Sequence, residues 1–177
     1  LQKNQFTFSS QAYFHRLKAR IFVCQGKFDQ AILEIEEALS LEPNNPRNTR
    51  SLGTIYHIKG DFETAEQIYK RLLENEDPGF RSDGRFWLSR LYLSQGKYEK
   101  AIDEIEKGIA LSREFDLKYD LSDFLLFLGY LNIGLNRYVQ AIETLDLAIQ
   151  LAKEAGAKED EQVTLHYRGL AQVRMNT

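Results

Sequence analysis

The hexapeptide Gly26-Lys27-Phe28-Asp29-Gln30-Ala31 returns as Gly60-Asp61-Phe62-Glu63-Thr64-Ala65 and as Gly96-Lys97-Tyr98-Glu99-Lys100-Ala101. With asparagine leading, it returns once more as Asn136-Arg137-Tyr138-Val139-Gln140-Ala141. The copies begin 34, 36 and 40 residues apart, a period that excludes heptads and marks an array of supersecondary units. No such unit buries its apolar face alone, so the fold must stack neighbours. Each part of the hexapeptide has a physical reading. Glycine or asparagine accepts the left-handed conformation that ends one helix and reverses the chain. The aromatic residue fills the corner, and the alanine lets a second helix cross the first closely.

Apolar residues at helical spacing precede each turn: Leu17, Ile21 and Phe22; Leu52, Ile55 and Tyr56; Leu88, Leu91 and Tyr92; Leu125, Leu128 and Leu131. Others follow it: Ile32, Ile35, Ala38 and Leu39; Ile68, Tyr69, Leu72 and Leu73; Ile102, Ile105 and Ile109; Ile142, Leu145, Ala148 and Ile149. The pattern predicts a helix on either side of every turn. Pro43-Asn44-Asn45-Pro46 and Asp77-Pro78-Gly79 close the first two pairs by removing backbone donors. The later pairs lack a closing proline.

The stretch Leu52-Gly53-x2-Tyr56, Ala65-x3-Tyr69, Pro78 resembles the tetratricopeptide repeat, whose pattern is Leu-Gly-x2-Tyr, Ala-x3-Phe, Pro. Ala19-x2-Phe22 with Ala31-x3-Ile35 and Pro43, Leu88-Ser89-x2-Tyr92 with Ala101-x3-Ile105, and Leu128-Gly129 with Ala141-x3-Leu145 repeat the likeness. The resemblance implies an all-α, right-handed α-solenoid of antiparallel helix pairs, with about four repeats and a C-terminal capping helix. The expected division is a lead-in or end of a preceding repeat at 1–11, repeats at 12–45, 46–81, 82–121 and 122–157, and a capping helix or truncated fifth repeat at 158–177. The wider last interval, supplied by residues 112–120, predicts helices longer by a turn or more. Those longer repeats are similar to the ones in kinesin light chains and in sensor domains of bacterial regulators.

Ser9 and Ser10 are candidate caps for a helix starting near Gln11, and Phe6 and Phe8 match no repeat. At the other end, Lys158 to Met175 reads as a first helix without its second, more polar than its predecessors. The chain begins with leucine and shows no signal architecture, so it is expected to belong to a larger protein.

Chemistry has little to work with. His15, His57 and His166 stand in different repeats at no ligand spacing, and there is no phosphate loop or nucleophile elbow. No catalytic residue, cofactor or metal is assigned, and enzyme activity is not expected. Cys24, the single cysteine, excludes an internal disulfide, fits a reducing, cytoplasmic setting, and is expected to be a small buried hydrophobe. A net charge of −3 leaves no excess of cations for a phosphate backbone, so nucleic acid is not expected. Apolar runs are too short for a membrane span. The acidic runs Glu34, Glu36, Glu37 and Asp103, Glu104, Glu106 read as solvated helix faces. Phe86 and Trp87 are adjacent, so one faces the core and the other is a candidate for contact.

What the resemblance implies is a protein-interaction module whose first helices line a groove. Counting back from each turn selects Tyr13, Arg16, Arg20 and Val23; Arg47, Arg50, Thr54 and His57; Asp83, Phe86, Arg90 and Leu93; Asp123, Leu126, Tyr130 and Ile133. The expected partner is a protein or peptide. Its acidic or C-terminal carboxylate part would meet Arg16, Arg20, Arg50 and Arg90, its apolar part Phe86, Leu126 and Tyr130, and Arg47 and His57 line the same groove. The carboxylate clamp of chaperone-binding members is not reproduced, because Ser51, Asp83 and Trp87 occupy three of its positions. A sensor domain of a signalling protein and a self-associating module are the alternative readings.

Overall fold

The computed structural model describes residues 2–176, with side chains from Ser9 onward. The described residues form helices joined by short reversals: α1 (Gln2–Cys24), α2 (Phe28–Leu41), α3 (Pro46–Lys59), α4 (Phe62–Leu72), α5 (Pro78–Ser94), α6 (Tyr98–Glu114), α7 (Lys118–Gly134), α8 (Tyr138–Ala155) and α9 (Lys158–Met175). The fold is all-α, as expected. It divides between Glu76 and Asp77 into two compact units, α1–α4 and α5–α9.

The four hairpins that the hexapeptide marks close by one hydrogen-bond pattern. At the α3 end, Gly60 takes φ 90°, its N–H bonding His57 O at 3.1 Å and the N–H of Asp61 reaching Tyr56 O at 2.9 Å. Asn136 does the same with φ 59°, through Ile133 O at 3.1 Å and, from Arg137 N–H, Asn132 O at 2.8 Å. These paired bonds satisfy carbonyls the helix end would otherwise leave open. Asp116 (φ 52°) and Gly156 (φ 69°) make two further reversals that the hexapeptide pattern does not mark. Where proline closes a pair, an Asx residue caps the next helix: Asn45 Oδ1 accepts from Arg47 N–H at 3.0 Å and Asp77 Oδ1 from Gly79 N–H at 2.8 Å.

The four hexapeptide alanines, Ala31, Ala65, Ala101 and Ala141, are all fully buried. Opposite them the first helices carry small residues. A Cβ on Gly53 would stand 2.5 Å from the Tyr69 ring, and one on Gly129 would stand 2.5 Å from Leu145. In the first unit Ala19, Ala31, Ile35 and Ile55 form a core flanked by Phe22, Phe28 and Leu52. In the second, Leu88, Leu91, Ile105, Phe124 and Leu145 are buried. Helices α6 and α7, at 17 residues each, exceed the 14 of α2 and α3, which accounts for the longer step between Gly96 and Asn136.

Four expectations need correction. Ser9 and Ser10 lie exposed inside α1, which already runs from Gln2, so neither caps it; the side chains of Phe6 and Phe8 fall outside the described residues. Cys24, the last residue of α1, is exposed rather than buried. Ile21 is 56% exposed, on the side of α1 that neither α2 nor α3 covers. Glu34 and Glu104 are not solvated: Glu34 accepts from His15 at 2.6 Å and Lys18 at 3.3 Å, and Glu104 from Arg85 at 2.7 Å.

Candidate partner-binding faces

In the first unit, α1 and α3 gather the predicted arginines. Arg16 Nη1 donates to Asn48 Oδ1 at 2.7 Å and lies 3.8 Å from Glu42. Asn48 is fully buried and donates in turn to Ala38 O at 2.9 Å and Glu42 O at 3.3 Å. Arg16 is therefore part of the joint between α1, α2 and α3. Burial lowers its pKa; Glu42 opposes that, and the fields of Arg47 and Arg50 reinforce it, so the three guanidiniums are near neighbours. Arg20 and Arg47 are exposed. His57 packs edge-on against Phe62 and Tyr69, with centroids 6.0 and 6.5 Å away, which ties it to α4.

In the second unit, the alternation of hairpins makes α5, α7 and α9 run in one direction and share a face. Their C-terminal halves carry a band of rings. Phe86 meets Phe127 at 5.8 Å, Phe127 stacks on Tyr130 at 6.4 Å with planes 3° apart, and Tyr130 meets Tyr167 edge-on at 5.5 Å. Arg90, exposed, lies over Phe86 at 5.7 Å and Trp87 at 5.4 Å. Phe86 also reaches Phe124 in the core at 5.9 Å, so the band is anchored from beneath. Tyr130 remains 45% exposed, and Leu126 is half-buried beside it.

Toward the N-terminal ends of the same helices the face turns acidic. Asp120, Asp123, Phe127 and Tyr130 follow one another at three- and four-residue steps, hence along one stripe of α7. Asp83 accepts from Trp87 Nε1 at 3.0 Å. Burial raises the pKa of Asp120 against a hydrogen bond with Ser82, and Asp83 and Asp77 raise it further. Asp123 is pushed up to about 6, first by burial and then by the carboxylates of Asp160 and Asp120. Asp123 is nonetheless open to solvent. The two facts fit a carboxylate on a crowded face, where protein displaces much of the surrounding water without covering the group itself.

Of the predicted residues, the structure brings together Arg16, Arg47 and Arg50 in one unit and Phe86, Arg90 and Tyr130 in the other. Sequence counting missed Phe127 and Tyr167, which complete the ring band, and Asp120 and Asp160, which complete the acidic strip. One row per helix was selected, whereas the exposed face takes two. Among the described residues no group of three or more His, Cys, Asp or Glu is placed to hold a metal ion, and no helix is long and apolar enough to cross a membrane.

Comparison with curated protein sequences returns no match. Among solved structures, the chain is similar to the nearly identical TPR-like repeats of a kinesin light chain type from Podosopora anserina, at 15% identity and TM-score 0.70, over 96% of this chain and 88% of that one. It is also similar to BtubC from P. vanneervenii, at 14% identity and TM-score 0.64, over 99% and 92% of the two chains. A third likeness is to the signal-transduction ATPase with a tetratricopeptide repeat sensor from Pyrococcus horikoshii, at 14% identity and TM-score 0.72; it covers 94% of this chain but 28% of that protein. At these identities the likeness is one of fold. The family model of the tetratricopeptide repeat matches residues 16–79, 60–114 and 89–156, which together span most of the sequence. Helix pairs closed by left-handed turns, buried alanines at the crossings and three overlapping model matches agree: this chain belongs to the tetratricopeptide repeat family.

Proposed function

We infer that this chain is a protein-interaction module whose first-helix faces receive segments of a partner. The observation that carries this reading is the ring band of the second unit: four aromatic side chains from three helices, anchored by Phe124 yet leaving Tyr130 45% exposed. Rigid, partly exposed aromatics give large contact area at small entropic cost, which is why they dominate protein interfaces. Leu126 widens the same surface. In the first unit, Arg47 and Arg50, near neighbours of Arg16, and the exposed Arg20 supply cations suited to carboxylates. Arg16 supports them from below, since Asn48 already holds its guanidinium.

A displayed peptide library panned against the chain tests the reading. Peptides enriched on the native chain should bind about tenfold or more weakly to a Phe86→Ala, Tyr130→Ala variant if apolar anchors seat on the rings. Acid-rich peptides should instead be lost with Arg20→Glu, Arg47→Glu. Circular dichroism confirms that each variant keeps its helices. Enrichment indifferent to both pairs of substitutions would remove the assignment of these faces.

A further inference from the structure

The ring band and the acidic strip of the second unit lie on one face, end to end along the same three helices. On α7, Asp120 and Asp123 precede Phe127 and Tyr130 on one stripe; on α9, Asp160 precedes Tyr167. The carboxylates of Asp77, Asp83 and Asp160 crowd Asp120 and Asp123, beside the Ser82 side chain that hydrogen-bonds Asp120. Two other acids of this unit hold arginines: Glu104 has Arg85 at 2.7 Å, and Asp146 has Arg168 at 2.8 Å. Beside the rings, Asp120, Asp123 and Asp160 crowd together instead.

Like charges placed close on a crowded surface cost free energy that a cation arriving from outside would recover. A metal ion does not fit, because the carboxylates are spread along separate helices and no metal-holding group occurs among the described residues. Spread carboxylates suit spread cations. Arg90 of the same face stands at the far end over Phe86 and Trp87, so a ligand's positive charges are directed to the acidic end.

We propose that the face shared by α5, α7 and α9 binds a basic protein segment, with lysine or arginine side chains against Asp120, Asp123 and Asp160 and an apolar or aromatic side chain on Phe127, Tyr130 and Tyr167. This rests on the reading of the ring band as a docking surface and adds the charge of its ligand, which is opposite to the one expected from the arginines of the first unit.

The test uses the full chain and two synthetic peptides that share aromatic and aliphatic residues. One carries lysine and arginine at its polar positions, the other glutamate and aspartate, and affinities are measured by fluorescence anisotropy at low and moderate salt. The basic peptide is expected to bind about tenfold more tightly, to weaken as salt rises, and to lose about tenfold in an Asp123→Asn, Asp160→Asn variant that keeps its helical circular dichroism. Equal or tighter binding of the acidic peptide, or no change in the variant, would overturn the proposal. If both peptides bind alike and Tyr130→Ala weakens both, the docking surface stands and its basic preference falls. If neither binds, both readings fall together.

Discussion

Leu145 of α8 occupies the space that any side chain at Gly129 of α7 would need: a Cβ there would lie 2.5 Å from both Leu145 Cγ and Cδ2. Leu145 is fully buried and has no room to retreat. Gly129→Ala is therefore expected to destabilise the second unit by about 1–3 kcal/mol through overpacking, despite the better helix propensity of alanine. Gly169 holds the corresponding place in α9, yet a Cβ on it meets nothing within 4 Å. Gly169→Ala should instead stabilise by about 0.5–1 kcal/mol, the propensity gain alone. Urea denaturation of the two variants reads the contrast, and a matching sign would refute the packing account.

Asn48 joins three elements, receiving Arg16 and donating to the carbonyls of Ala38 and Glu42. Replacing it with leucine leaves the half-buried Arg16 guanidinium with only Glu42 at 3.8 Å, and takes from the carbonyls of Ala38 and Glu42 the second donor they hold beside a backbone N–H. The expected cost is about 2–3 kcal/mol, measured as a shift of the chemical denaturation midpoint. An Asn48→Leu variant as stable as the native chain would show that water replaces those bonds at no cost.

Asp123 carries a pH signature. Its pKa in the folded chain is raised to about 6, by burial and by Asp160 and Asp120. Between the ordinary carboxylate range and that value the folded chain holds a proton the unfolded chain has released, so stability declines as pH rises through the window and recovers as pH falls. Asp123→Asn should raise stability at pH 7 to 8 by about 1 kcal/mol once solvent screening is allowed for, and flatten the profile between about pH 4 and 7. Thermal melts across that range check it; an unchanged profile would mean that Asp123 is not repelled by its neighbours.

Asp116 turns the chain with φ 52°, a conformation that costs an L-residue energy and glycine none. Asp116→Gly is expected to stabilise by about 0.5–1 kcal/mol, since Leu117 N–H still bonds Ser112 O at 2.8 Å. A loss of stability would point to a contact of the Asp116 side chain that matters more than its backbone strain.

What the sequence made legible follows from how many atoms share each constraint. Ala31, Ala65, Ala101 and Ala141 are readable because a helix crossing admits only a small residue at that point, and all four are fully buried. Asp116 was not, because an aspartate that turns the chain looks the same in sequence as one on a helix surface. Glu34 and Glu104 sit among exposed acids of the same helices, and only the approach of His15, Lys18 and Arg85 from neighbouring helices distinguishes them. At the candidate faces, counting from the turns found Phe86 and Tyr130 but passed over Phe127 and Tyr167. Contact between rings on different helices depends on how deeply each helix is seated, and that is decided by packing.

The left-handed residue at the reversals that lack a proline has a consequence for how the molecule comes into being. Its bonds reach back only a few positions, as from Arg137 to Asn132, so each bend is specified by the segment that makes it. A hairpin can wind up before the rest of the polypeptide exists and wait for a neighbour to lean on. Folding of this kind closes short loops first and loses little chain entropy at each step. It also means that fraying at either terminus removes one rung at a time, leaving the middle of the ladder standing.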